Sequence, residues 1–343
     1  MSMVNKGGEY VKSWIDRVWR SGAFHAECWL RMSEEVQLVA IADVNAENAR
    51  KYAQKSGAKL YTDGFEMIES EELDVVDLCV PTLLHAEYAL FAMKKVRNII
   101  IEKPVCLTEA QAQQLLEEQE RTGALVQVAH SLRFNDVYRY VKEVVRSERY
   151  GKVISGRFSR ISPRPVWMKG HDEKDRTGSM ALDMHIHDAD FIRYLMDAEP
   201  DEINARAAKD MNGIIQHIYA TYRFGEALLM AEASWDYPVN MPFCASFRLR
   251  LEGAALILDD RGVLTVYQED GETFVPEFPS KLVVDLGINV SNLSTYLNEL
   301  SNFVENIKAE EPREIVSLSQ AVASFRLVCR EIEIAEGRVY EQD

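Results

Sequence analysis

Cysteine is sparse in this 343-residue chain. The five cysteines (Cys28, Cys79, Cys106, Cys244 and Cys329) stand at spacings that make neither a disulfide framework nor a zinc pattern. A reducing cytoplasm is therefore the expected setting. No apolar run approaches the ~18 residues of a membrane-spanning helix, so no membrane partner is expected. The first 24 residues are too broken by charge for a secretory signal. Basic residues are in the minority, 39 Lys and Arg against 55 Asp and Glu, for a formal charge of −16. That balance repels phosphate backbones and argues against nucleic acid. Repeats and low-complexity tracts are also missing. What is plentiful is apolar side chain, 47% of residues with ordinary glycine and proline, as in a globular chain with a substantial core. The length suggests two domains.

From Val36 onward the pattern is regular. Residues 36–42 form an apolar run ending in Asp43, and 46–55 read as a helix closed by Gly57. A short strand at 60–62 and a short helix at 65–70 precede a continuous apolar strand at 75–80. A helix over 84–95 leads to a buried strand at 98–101. Thr108 and Gln111 stand at capping-box spacing before a helix that ends at Gly123, and 125–129 is a further strand. Strands apolar on both faces and alternating with helices indicate a parallel, doubly wound sheet. After Arg133 the strands lengthen, at 152–161, 203–208, 214–224 and 227–235, and Phe247–Leu251 alternates apolar with charged. Helices are expected near 293–307 and 318–335. The expected fold is α/β: a Rossmann-like parallel sheet over 1–130, then an α/β domain over 131–343 with a large, mostly antiparallel sheet.

One feature is missing where that fold needs it. A nucleotide-binding sheet opens with a strand and a Gly-rich turn, with an acidic residue roughly 20 positions on. Asp43 is that acidic residue, but residues 13–22 read Ser-Trp-Ile-Asp-Arg-Val-Trp-Arg-Ser-Gly. Taken literally, Val11, Trp14, Ile15, Val18 and Trp19 make an amphipathic helical stripe. The genetic code offers another reading. One permitted codon string for residues 13–23, read one base later, translates as Val-Gly-Leu-Ile-Gly-Cys-Gly-Glu-Ala-Gly. That is an apolar strand running into glycines at positions 17, 19 and 22, as a paired frameshift would leave it. In the literal chain, burying Asp16 and Arg17 in a central strand costs several kcal/mol each if unpaired. The segment is therefore expected to lie elsewhere, with the sheet one strand short and the pyrophosphate cradle lost.

Two motifs carry chemistry. Glu102-Lys103-Pro104 closes the apolar run Ile99-Ile100-Ile101 at the carboxyl end of a parallel strand, where doubly wound sheets bind ligands. A partly buried lysine there can act in proton transfer, or the pair can simply close the strand. Asp183-Met184-His185-Ile186-His187 opens an expected helix that puts Asp183 and His187, four residues apart, on one face. A histidine so placed can take a hydroxyl proton while the carboxylate orients it. A metal site of Asp183, His185 and His187, or a plain capped helix start, are the other readings; with His185 facing away and no fourth ligand evident, no metal is expected. Arg160, Arg164, Trp167, Lys169 and His171 can meet a polar substrate or form an exposed loop.

Together these residues resemble the Gfo/Idh/MocA family of NAD(P)-dependent oxidoreductases, which includes glucose-fructose oxidoreductase and inositol dehydrogenase. The resemblance runs over residues 24–343 through Ile41-Ala42-Asp43, Val80-Pro81-Thr82 with His85, Glu102-Lys103-Pro104, Arg133-Phe134, Tyr150-Gly151-Lys152-Val153 and Gly178 to His187. It implies Lys103, Asp183 and His187 as catalytic residues and a cofactor site lined by Asp43, Pro81, Thr82, His85, Glu102, Lys103 and Arg133. It also implies hydride exchange with a secondary alcohol of a sugar or cyclitol, and a homodimer or homotetramer. Val44 after Asp43, with no adjacent arginine for a 2′-phosphate, favours NAD, with NADP possible through Arg50. Ser179 departs from the family, standing where many members have glycine. The alternative is a non-catalytic or cofactor-deficient relative, either a binding or regulatory module or the product of a damaged gene.

Overall fold

The computed structural model describes residues 11–16, 21–165, 179–279, 281–283, 292–309 and 316–337. The chain forms two compact units, Met1–Phe134 with Lys281–Val322, and Asn135–Ser280 with Ala323–Asp343.

The first unit winds as β1 (Val11–Asp16), α1 (Ser21–Arg31), β2 (Val36–Ala42), α2 (Ala46–Ser56), β3 (Lys59–Tyr61), α3 (Gly64–Ser70), β4 (Val75–Leu78), α4 (Thr82–Ala92), β5 (Asn98–Glu102), α5 (Glu109–Thr122) and β6 (Leu125–Ala129). Its six strands are parallel in the order β3-β2-β1-β4-β5-β6. Local signals set the helix ends. Asn45 accepts the Glu47 N–H at the start of α2, and Gly57 ends it in the left-handed region. Thr108 and Gln111 form the reciprocal cap of α5.

The structure corrects the expected fate of the first segment. Residues 11–16 form the strand at the switch point, hydrogen-bonded to β2 on one side and β4 on the other, and not a helix or a displaced segment. Val11, Ser13 and Ile15 are buried, and the register against β2 shifts between Ser13 and Trp14. The physical reason is backbone pairing: without this strand the facing edges of β2 and β4 would lie open inside the unit. The literal sequence leaves one cost visible, the buried Ser13 hydroxyl, which has no hydrogen-bond partner. Residues 17–20, where the glycines are missing, lie outside the described residues.

The second unit contains α6 (Asp136–Arg146), β7 (Val153–Pro163), α7 (Ile186–Met196), and strands β8 (Glu202–Lys209), β9 (Ile215–Phe224), β10 (Ala227–Tyr237), β11 (Cys244–Leu251), β12 (Ala254–Leu258), β13 (Leu264–Gln268) and β14 (Thr273–Phe274). They form one sheet in the order β14-β13-β12-β11-β7-β10-β9-β8, in which only β7 and β10 run parallel. Gly225, at φ 58°, makes the tight turn between β9 and β10. Phe158, Phe191, Phe247 and Tyr138 interlock beneath the sheet, with Tyr138 edge-on to Phe191 at 4.7 Å between ring centroids.

Two more helices follow, α8 (Leu293–Lys308) and α9 (Leu318–Ala335). The two-part division drawn at residue 130 differs from the structure here, because residues 281–322 return to the first unit. The stripe Leu293, Leu300, Phe303 and Val304 on α8 belongs to the same buried core as Phe24, Trp29 and Val36.

Candidate functional site

The carboxyl ends of the parallel strands gather most of the expected site residues of the first unit. Asp43, next after β2, is buried; its Oδ1 accepts the Asn45 N–H at 2.9 Å and the Asn48 amide at 3.2 Å. These bonds hold the carboxylate beside the end of β1. Pro81 and the buried Thr82 open α4 directly beyond β4. His85, on the next turn, has Nδ1 2.7 Å from the Pro104 carbonyl and Nε2 2.9 Å from the Val80 carbonyl. Burial lowers its pKa, so the neutral ring donates to one of these carbonyls at a time. His85 thus ties the end of β4 to the turn after Lys103. Arg133, in the short turn Ser131–Phe134, is buried and donates to the Gln320 side chain at 2.7 Å.

Glu102 ends β5 and accepts the Lys103 backbone N–H at 3.0 Å. Beneath it lies a cluster that sequence reasoning missed. His25 of α1 is fully buried, with Nδ1 3.0 and 2.9 Å from the two Asp77 oxygens and Nε2 3.5 Å from Glu102 Oε1. Asp77 also accepts the Trp29 indole N–H at 2.7 Å and faces the Cys79 thiol at 3.4 Å. The candidate ligand atoms of His25, Asp77 and Cys79 lie within 4.8 Å of one another, but they already bond to each other. Burial opposes charge on His25, and Asp77 overrides it, so the pKa is raised well above the usual imidazole range. Burial pushes Glu102 up, while His25 and Lys103 pull it below the usual carboxyl range. The available signal was Asp77 itself, a charge inside the apolar run Val75-Val76-Asp77-Leu78.

Glu299 of α8 shares this environment and is buried with neither carboxylate oxygen hydrogen-bonded. Burial raises its pKa well above the usual carboxyl range. A raised folded pKa means stability present at low pH and lost as pH climbs, since the folded state must hold a proton that the unfolded chain releases. Glu299→Gln removes that requirement. The variant should match the parent near pH 4 and gain on it by about 1.4 kcal/mol per pH unit above the ordinary carboxyl range. Urea unfolding at several pH values checks this; parallel curves for the two proteins would refute it.

In the second unit, Asp183 lies within a distorted turn and His187 just after it. Ala181–His185 is π-helical, with the Ile186 N–H reaching back to the Ala181 carbonyl, and α7 continues from it. Ser179 precedes the turn at φ 151°, a conformation that glycine adopts more readily than serine. Asp183 and His187 are half-buried, whereas His185 between them is fully buried and bonded to Glu331 at 2.6 Å.

Arg160 is not available to a substrate. It is buried and pairs with both oxygens of Asp188, at 2.8 and 3.1 Å. The alternation of β7 turns it inward, where only a carboxylate makes its burial tolerable. Arg164 is exposed, and Trp167, Lys169 and His171 lie outside the described residues.

Two family models match the chain: "Oxidoreductase family, NAD-binding Rossmann fold" over residues 19–130 and "GFO/IDH/MocA C-terminal domain" over 138–255. The first match begins beyond most of the segment that lacks the glycines. Myo-inositol 2-dehydrogenase of Thermotoga maritima is 27% identical over 308 residues, covering 85% of this chain and 87% of that protein. Inositol 2-dehydrogenase of Rubrobacter xylanophilus is 29% identical over 188 residues, 54% of this chain and 52% of that protein. Among solved structures, levoglucosan dehydrogenase in complex with NADH and levoglucosan superposes with a TM-score of 0.82 at 19% identity, covering 96% of this chain and 98% of that one. No helix among the described residues is long and apolar enough to cross a membrane.

Proposed function

We infer that this chain, which belongs to the Gfo/Idh/MocA oxidoreductase family by both matches, is an NAD-dependent dehydrogenase acting on a secondary alcohol of a polyol or sugar. The reading is carried by two features, each within its own unit: Glu102-Lys103 at the end of a parallel strand in a nucleotide-type sheet, and a half-buried Asp183 on a π-helical turn that leads directly into the half-buried His187 of α7. When bound, the nicotinamide accepts the hydride. His187 takes the hydroxyl proton, Asp183 orients His187, and the Lys103 ammonium balances the charge developing on the alcohol oxygen. The inositol dehydrogenases among the relatives support a substrate with several hydroxyls.

The described residues fit a dinucleotide on the ribose side. Asp43 places a carboxylate at the end of the strand adjoining β1, at the sheet's switch point. Arg50 is held at the surface by Glu47 at 2.7 Å, which favours NAD over NADP. Ile154, Tyr219, Leu228 and Tyr267 are exposed on strands of the large sheet and offer contacts between copies in a homodimer or homotetramer.

Thermal unfolding with and without NAD(H) and NADP(H) tests the cofactor. NADH at 100 times its Kd stabilises the native state by about 2.7 kcal/mol, and a shift larger for NADH than for NADPH is expected. Arg17→Gly/Trp19→Gly restores two of the missing glycines and should tighten NADH binding roughly tenfold or more, by letting backbone N–H groups approach the pyrophosphate. No shift in either protein with any of the cofactors would sink the dehydrogenase reading and leave a non-catalytic relative.

A further inference from the structure

The metal reading of Asp183, His185 and His187 does not account for His185, which faces the interior of its unit. Its Nε2 lies 2.6 Å from Glu331 Oε2, on α9, and the Tyr222 hydroxyl of β9 donates to the other Glu331 oxygen at 2.8 Å. Tyr222 also stands 3.4 Å from His185 Nε2. Burial, with Glu331 beside it, raises the Tyr222 pKa well above the usual phenol range, so the hydroxyl keeps the proton it donates. All three side chains are essentially solvent-free. The other ring nitrogen of His185, Nδ1, is buried with no hydrogen-bond partner, so Glu331 and Tyr222 are the polar anchors of the ring.

The location gives this trio its consequence. His185 is the last residue of the π-helical turn, two residues after Asp183 and two before His187. A π-helical turn holds one more residue than an α-helical one and readily relaxes to the commoner form, so it persists where a neighbour over-determines it. Relaxing by one residue would rotate Asp183 relative to His187. We propose that His185, through its bond to Glu331 braced by Tyr222, is a positioning residue that sets the register of the turn that carries Asp183 and leads into His187. The proposal rests on reading those two residues as the proton-transfer pair.

Stability and positioning can be separated, because replacing both partners of a buried hydrogen bond by apolar residues of similar shape can be nearly neutral, whereas removing one partner is not. The double variant His185→Leu/Glu331→Leu is therefore expected to fold, with a melting temperature lowered only by the cost of the Tyr222 hydroxyl left without its acceptor. In a panel of myo-inositol, scyllo-inositol and levoglucosan, its kcat should fall roughly 10- to 100-fold, with NADH affinity within about twofold of the parent. Amides of residues 181–187 should exchange hydrogen faster while the rest of the unit is unchanged, a readout that does not depend on turnover. Glu331→Gln, which keeps an oxygen acceptor for His185, should recover most of the kcat. Parental kcat and parental exchange in the double variant would overturn the proposal and make the pair purely structural. If the double variant fails to fold, His185→Leu and His185→Gln take its place, the second retaining a donor near Nε2. A kcat lowered in His185→Leu and restored in His185→Gln supports the bond to Glu331 as the working element, and equal kcat in the two overturns it. His187→Ala in the same assay distinguishes the two levels: parental turnover there defeats the reading of the pair, and the proposal with it.

Discussion

His187→Ala is expected to turn over its polyol roughly 10²- to 10⁴-fold more slowly than the parent, the usual worth of a positioned general base. NADH affinity should barely change. An alcohol gives up hydride readily only as its proton leaves, so loss of the base raises the barrier to the chemical step without touching the contacts that hold the nucleotide. The rising limb of the pH–rate profile for alcohol oxidation, which reports deprotonation of the base, should disappear as well. Lys103→Ala should also lower kcat strongly, because Lys103 directly follows β5, with its backbone N–H held by Glu102, and its ammonium is the counter-charge in the proposed reaction. Steady-state kinetics with separate titration of NADH check both variants. Parental turnover in either one, or a loss confined to KM for the cofactor, would remove that residue from the proposed role.

Arg160→Leu should destabilise the protein by about 3–5 kcal/mol, because it strands a buried carboxylate. Arg160 meets Asp188 through two parallel hydrogen bonds, with the Tyr138 hydroxyl 3.5 Å from the same guanidinium. Burial works against the charge on Arg160, and Asp188 with Tyr138 reverses the balance, so its pKa ends above the usual range. The cost of the single variant is chiefly that of the bare Asp188, so Arg160→Leu/Asp188→Leu should regain most of the lost stability. Asp188 adjoins His187 at the start of α7, and the single variant should also loosen the element that carries the proposed base. Urea unfolding measures the first effect and hydrogen exchange over α7 the second. Equal stability of the single and double variants would contradict the account.

The candidate residues and their surroundings are unequally legible. Asp43, Glu102, Lys103, Asp183 and His187 stand out as candidates because each lies at or next to the end of an element whose apolar period is plain in the sequence. The buried pairs near them do not stand out. His25 reaches Asp77 across 52 positions and His185 reaches Glu331 across 146, and no local pattern encodes such a distance. Arg160 was misread for the same reason, since its carboxylate lies on another element, 28 residues on. The first strand failed differently. Residues 11–19 carry a helical apolar period, and a gap between β2 and β4 outweighed it.

The sequence by itself determined the layers of this protein: parallel strands with their capped helices, then a long, mostly antiparallel sheet. Hydrophobic period and turn chemistry are local quantities, written within a few residues of where they act. Only the tertiary structure decided that Val11–Asp16 fills the switch point, that α8 shares the core of the first unit, and which buried polar groups pair with one another. Those outcomes depend on groups far apart in the chain, and the cost of leaving a backbone edge or a charge unpaired is assessed only when the elements meet.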